Sequence, residues 1–218
     1  MKVFITGGTG YVGQKVIPAL LRKGHEVICL VRKGSEDKLK DLSKQITIVS
    51  GDLLEPSNLN TCECEAVIHL VAIIKEFPEK SITFERYNFE SAKNMIDVAE
   101  QNAIDRFILM SAVGNPPGVP KNYYRYKLKA EDYLKSTGLH WTILKPSLIY
   151  DQSWSGKSAG WVSLFNWSFA LGSLVPAIGD RISSFRPISR SEIADTIVEV
   201  IQNKKYIGES LIGRDLMI

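Results

Sequence analysis

Eight residues near the start of the chain, Thr6-Gly7-Gly8-Thr9-Gly10-Tyr11-Val12-Gly13, constrain its fold more than any others. They follow an apolar run at residues 3–6 that reads as a strand. They open an amphipathic pattern over residues 11–23 that reads as a helix. Glycines at such a junction have distinct uses. One permits a tight turn, one lets the backbone approach a phosphate, and Gly13 lets the helix pack close to the strand. The helix N-terminus then offers unpaired N–H groups and a positive dipole end to an anion. Strand, glycine turn and helix in this order predict a dinucleotide pyrophosphate site at Gly7, Thr9, Gly10, Tyr11, Val12 and Gly13.

The alternation continues along the chain. Strands are expected at 26–31, 46–50, 66–70, 106–110 and 141–144. Helices are expected near 36–42, over 84–101 and over 122–136. Short apolar strands alternating with helices imply a parallel sheet covered on both faces. The predicted class is therefore α/β, a Rossmann-type doubly wound parallel sheet with a small C-terminal lobe. At 218 residues the chain is expected to form a single domain. Residues 151–188 and 204–218 are expected to supply most of the lobe on the substrate side. Within it, 151–160 reads as a loop and 160–171 as an aromatic, helix-like stretch. Ser189 and Glu192 form a capping-box signature for a helix over 190–203. Residues 210–218 read as a last strand or tail.

Bulk composition excludes several classes of function. Lys and Arg number 27 and Asp and Glu 24, a net charge of +3 spread along the chain. That balance argues against nucleic acid and against an anionic membrane surface as partners. The three cysteines, Cys29, Cys62 and Cys64, are odd in number and lack a second ligand pair. No metal site and a reducing compartment are expected. The first apolar run is too short for a signal peptide. The most apolar stretch, 161–178, is broken by Asn166, Gly172 and Pro176, so no spanning segment is expected. A cytoplasmic location follows as the expectation. His25, His69 and His140 read as packing or turn residues.

Cofactor choice is arguable from charge. Readers of NAD place an acid at the end of the second strand to accept from a ribose hydroxyl. Here Arg32 stands 19 residues after Gly13, followed by Lys33. A guanidinium suits a 2′-phosphate through charge-assisted bonds, so NADP (NADPH) is expected over NAD.

The spacing Gly7-x-x-Gly10-x-x-Gly13 is that of short-chain dehydrogenases. Further matching segments are Gly24-His25-Glu26-Val27, Gly51-Asp52-Leu53, His69-Leu70-Val71-Ala72 and Arg106-Phe107-Ile108 with Ser111-Ala112. Lys145-Pro146-Ser147 and Arg186-Pro187-Ile188 complete the set. On these residues the chain resembles the atypical and extended short-chain dehydrogenase/reductases, more specifically the NmrA-like group. That group includes an NADPH-binding accessory subunit of respiratory complex I. The resemblance implies that Asp52 and Leu53 border the adenine and that Val71 and Ala72 line the adenosine side. It also implies that Lys127 and Pro146 contact the cofactor.

Active members of that family use a Tyr and a Lys four residues apart on one helix face. Tyr123 and Lys127 have that spacing. By resemblance Lys127 holds the nicotinamide ribose and lowers the tyrosine pKa, and Tyr123 exchanges a proton with substrate. Ser111 binds the substrate oxygen, and Asn88 belongs to the proton relay. Against this, Ser111 precedes Tyr123 by only 12 residues, Ala112 stands where a second Ser or Thr is frequent, and Tyr124 and Tyr126 are rival phenols. An amphipathic helix whose Lys127 only binds cofactor is the alternative.

Trp154, Trp161, Phe165 and Trp167 could roof an apolar small-molecule substrate. Alternatively the segment from Trp161 to Phe169 could contact a protein partner or make a homodimer, or pack the lobe. Three functions stay open. The first is an NADPH-dependent oxidoreductase acting on a small apolar carbonyl, enone or quinone-like compound. The second is a non-catalytic NADP(H)-binding assembly, scaffold or redox-sensor protein. The third is a nucleotide-sugar epimerase or dehydratase, for which the roughly 70 residues after the sixth strand make a small lobe.

Overall fold

The computed structural model describes residues 1–56, 59, 63–114, 120–151 and 186–216. Its strands are β1 (Lys2–Thr6), β2 (Glu26–Val31), β3 (Thr47–Ser50), β4 (Ala66–His69), β5 (Arg106–Met110) and β6 (His140–Lys145), followed by β7 (Ile149–Tyr150), β8 (Ile188–Ser189) and β9 (Glu209–Ile212). Among the described residues its α-helices are α1 (Gly13–Arg22), α2 (Ser91–Gln101), α3 (Lys121–Lys135) and α4 (Arg190–Gln202).

Seven strands form one sheet in the order β3-β2-β1-β4-β5-β6-β9, and every pairing is parallel. The period of two along a strand sends alternate residues to opposite faces. Val3 and Ile5 enter a core with Val16, Ile17 and Leu20 of α1 and Ile193, Ile197 and Ile201 of α4. Phe4 enters the other core, with Met95 and Ile96 of α2 and Ala130 and Leu134 of α3. Helices thus cover both faces, as the apolar strands require. The chain reverses its direction of travel across the sheet between β1 and β4, which leaves a crevice at the strand C-termini.

Most expected elements are present, with informative departures. The 36–42 helix is a 3₁₀ segment over Glu36–Lys44, interrupted at Lys40, whose φ is 49°. The 84–101 helix begins with a π-helical turn, Glu85–Glu90, before α2 proper. At α4 the capping box forms in full. Ser189 Oγ accepts from the Glu192 N–H at 3.1 Å, and Glu192 Oε2 accepts from the Ser189 N–H at 2.7 Å.

Within the C-terminal segment, β9 extends the main sheet by pairing with β6, Thr142 opposite Glu209 and Leu144 opposite Leu211. Without β9 the backbone groups of β6 would form an open edge, and Leu211 is buried there. Of the other lobe segment, β7 and β8 form a small parallel pair. Residues 152–185, including the aromatic segment 161–169, lie outside the described residues. Among the described residues, no helix is long and apolar enough to cross a membrane.

Candidate dinucleotide site

A crevice of about 650 Å³ opens at the switch point between β1 and β4. Gly7, Thr9, Gly10, Tyr11, Val12 and Gly13 form one wall. The geometry separates the glycines by use. Gly7 has φ +78°, where a Cβ would also come within 3.0 Å of the Leu70 carbonyl carbon. A Cβ on Gly13 would lie 2.4 Å from Gly7 O and 2.5 Å from Gly8 Cα, so only glycine lets α1 start this close to the turn. A Cβ on Gly8 would strike Cys29 Sγ at 2.5 Å. On Gly10 the sole neighbour would be Gly7 O at 3.0 Å. The space beside Gly10 is otherwise open, as a backbone cradle for a pyrophosphate requires.

Arg32, Asp52, Leu53, Val71 and Ala72, the residues expected around the adenosine, line the same crevice. Asp52 Oδ1 accepts from the Leu54 N–H at 2.9 Å, which shapes its own loop. Lys33 does not line the crevice. The turn after β2 is closed by the Ser35 N–H donating to Arg32 O at 2.9 Å, with Gly34 at φ +81°. That turn brings Arg32 and Ser35 to the crevice and leaves Lys33 exposed outside it.

At the other end lie Ser111, Tyr123, Lys127 and Pro146. Tyr123 is 9% exposed and packs edge-on against Phe84, with ring centroids 5.7 Å apart. Burial raises its phenol pKa. Lys127 is fully buried, and its Nζ donates to Met110 O at 2.9 Å. Burial lowers its pKa to about 8, with Glu131 opposing the shift. The lowering of the tyrosine pKa implied by the family pattern is therefore not seen. The lysine ammonium is directed at a backbone carbonyl and faced by a carboxylate, and desolvation governs the phenol.

Asn88 is buried but outside the crevice. Its side chain accepts from the Ile73 N–H at 2.8 Å and donates to Ile73 O at 3.1 Å. Both ends of the amide are thus used to fix the loop after β4.

Glu131 is the residue that sequence reasoning missed here. Its carboxylate is buried, accepts from Ser111 Oγ at 2.5 Å and from Lys145 Nζ at 2.8 Å, and lies 3.8 Å from Lys135 Nζ. Ser111 donates its proton away from the crevice, which leaves its lone pairs to face a ligand. The available signal was the spacing Lys127-x-x-x-Glu131, which sets both side chains on one helix face. Tyr87 and Ser91 also line the crevice unforeseen, because the π-helical turn shifts the register of the expected helix.

A family model described as NAD(P)H-binding matches residues 7–204 of the chain. The chain belongs to this NAD(P)H-binding family. The match spans the glycine turn, the crevice and α4, and pyridine-nucleotide binding follows from it.

Relatives of the chain include an assembly factor, a reductase and a subunit of a respiratory oxidoreductase. A photosystem II assembly factor, Ycf39, of Synechocystis sp. is 29% identical over 66% of this chain and 44% of its own length. A ceramide reductase of Caulobacter vibrioides is 30% identical over 68% of this chain and 46% of its own length. The 40 kDa subunit of mitochondrial NADH-ubiquinone oxidoreductase of Neurospora crassa is 23% identical over 67% and 40%. The chain thus spans less than half the length of these relatives. Among solved structures, a short-chain dehydrogenase/reductase of Veillonella parvula in complex with NADP superposes with a TM-score of 0.69. The superposition covers 96% of this chain and 92% of that one, at 14% identity, and it shows the shared fold.

Proposed function

We propose that the chain is an NADP(H)-dependent reductase of the short-chain type, acting on a small apolar carbonyl or quinone-like compound. The observation that carries this reading is the placement of Ser111, Tyr123 and Lys127 in the same crevice as the glycine turn and Arg32. Apolar side chains surround that end. Phe84, Ala112 and Tyr123 form a buried cluster, and Ile73 packs against it. NADPH, when bound, supplies a hydride to the carbonyl carbon. The chain's own residues do the rest. Tyr123 donates its phenol proton to the carbonyl oxygen, a role favoured when the group it protonates is becoming an alkoxide. Lys127 holds the ribose and offers positive charge at neutral pH, below its pKa of about 8. Arg32 pairs with the 2′-phosphate.

A second reading, a non-catalytic NADP(H)-binding assembly or sensor protein, is favoured by a specific set of contacts. The Lys127 ammonium is bound to Met110 O, and the Asn88 amide is bound to Ile73. The relative Ycf39 is itself named an assembly factor.

The experiment separates these readings. Calorimetry should give NADPH at least ~10-fold tighter than NADH, about 1.4 kcal/mol, and Arg32→Asp should abolish the difference. A panel of quinones, enones and aldehydes is then screened by NADPH absorbance. Tyr123→Phe should retain NADPH affinity and lose ~10²–10⁴ in rate. NADPH binding without turnover on any member selects the assembly or sensor reading. Turnover that survives Tyr123→Phe removes the phenol from the mechanism.

A further inference from the structure

We propose that Tyr87 is a second ligand for the 2′-phosphate, so that an Arg32–Tyr87 pair, and not Arg32 alone, sets the choice between NADPH and NADH. The proposal rests on the reading of Arg32 as the phosphate reader.

Arg32 follows the last residue of β2 and is exposed. A long side chain on an exposed turn samples many rotamers, and ordering it opposes binding. Here the guanidinium is already engaged. Arg32 Nη1 donates to Tyr87 Oη at 3.3 Å, and Arg32 Cζ lies 5.9 Å from the centre of the Tyr87 ring. The two residues come from opposite walls, Arg32 from the end of β2 and Tyr87 from the element that leads into α2. Both line the crevice, as do Ser35 and Asp52. The contact therefore bridges the crevice where the 2′ position of a bound adenosine would lie.

The π-helical turn is what puts the phenol there. Over Glu85–Glu90 the wider turn adds a residue to the helix repeat. Asn88 then reaches inward to Ile73, while Tyr87 and Ser91 reach the crevice. Ser91 Oγ donates to Tyr87 O at 2.6 Å, which fixes the backbone that carries the phenol.

Hydrogen-bond polarity points to an anion. Tyr87 Oη accepts from Arg32, which leaves its O–H to donate. A group seated beside the guanidinium must then offer acceptors to both residues. A phosphate offers three oxygens and no obligatory donor, and bonds to it are charge-assisted. A ribose 2′-hydroxyl offers one oxygen and brings a proton of its own. The pair therefore favours the phosphorylated ribose, whose charged oxygens can accept from both residues at once.

The test uses adenosine 2′,5′-bisphosphate and adenosine 5′-monophosphate as probes, titrated calorimetrically into the wild type, Tyr87→Phe, Tyr87→Ala and Arg32→Ala. The readout is the ratio of the two affinities. Wild type should prefer the bisphosphate by at least ~10-fold. Tyr87→Phe keeps the ring and removes one oxygen, so it should cut that ratio about 3- to 10-fold with monophosphate affinity unchanged. Tyr87→Ala should lower the ratio equally and weaken the monophosphate as well. A merely structural tyrosine would weaken both probes together and leave the ratio intact. A wild-type ratio in Tyr87→Phe, with the ratio lost in Arg32→Ala, overturns the role of Tyr87 and leaves Arg32 as the reader. A wild-type ratio near one overturns the Arg32 reading itself and this proposal with it.

Discussion

Gly10 and Gly13 stand three residues apart in one motif, yet the structure gives them separable duties. A methyl group on Gly13 would collide with backbone on two sides, at 2.4 Å and 2.5 Å, and backbone cannot rotate away. A methyl group on Gly10 meets one oxygen at 3.0 Å and otherwise faces the crevice. Gly13→Ala should therefore lower thermal stability and nucleotide affinity together. Gly10→Val should stay folded, with a melting temperature within a few degrees of wild type, and lose NADPH binding. Differential scanning fluorimetry with and without NADPH reads both quantities. A Gly10→Val protein that shows the wild-type thermal shift with NADPH would place the pyrophosphate elsewhere. The sequence disclosed this turn because its physics is local: a positive φ and a helix start lie within eight residues. It did not disclose Glu131, whose importance comes from Ser111, 20 residues away in the chain, and from Lys145 on another strand.

At the scale of elements, strands were more legible than helices. β2 and β5 occupy the predicted residues because a buried parallel strand is apolar along nearly all its length, here after a charged first residue, and such runs have clear ends. Helix starts depended on whether the start had a local chemical signature. The Ser189 and Glu192 pair marked α4 to within a residue, and both reciprocal bonds are present. No such signature announced the π-helical turn before α2; it carries one local bond, Ser91 Oγ to Tyr87 O, and one to another part of the chain, where Asn88 holds Ile73. The place of β9 in the main sheet was not legible because the strand is short and edge-lying, with a single buried residue, Leu211, and its pairing depends on β6. The α4 cap gives a direct prediction. Ser189 is fully buried, so Ser189→Ala leaves the Glu192 N–H without its side-chain acceptor. It should cost about 1 kcal/mol of unfolding free energy, at the upper end of the usual range if no water enters. Urea titration of Ser189→Ala and Ser189→Thr checks this. Threonine keeps the acceptor and should recover most of the loss, unless its extra methyl crowds the site.

At the scale of the whole molecule, the crevice exists because the sheet reverses between β1 and β4, and one polar contact joins those strands beneath it. Thr6 Oγ1 and His69 Nδ1 lie 2.9 Å apart at the paired ends of β1 and β4. The imidazole is 1% exposed, and its Nε2 has no partner among the described residues. Burial, reinforced by the Lys127 ammonium, lowers its pKa to about 3 from 6.5. The folded protein thus holds this histidine neutral where the unfolded chain would protonate it. With the folded pKa depressed, the unfolded state binds more protons between pH 6.5 and about 3. Stability is complete above pH 6.5 and declines as pH falls through that window. The slope reaches about 1.4 kcal/mol per pH unit for one fully coupled group. Between pH 6.5 and pH 5 the loss from His69 should be on the order of 1.5 kcal/mol. Carboxylates elsewhere titrate in any variant, so the informative quantity is a difference. His69→Asn keeps a polar group near Thr6 and removes the titration. It should start less stable at pH 7 and then lose less stability than wild type on acidification, so the two urea curves converge toward pH 5. Parallel curves would show that water reaches Nε2 and that the ring titrates normally. Convergence would mean that the strand pair defining the nucleotide crevice is also where acid first destabilises the fold.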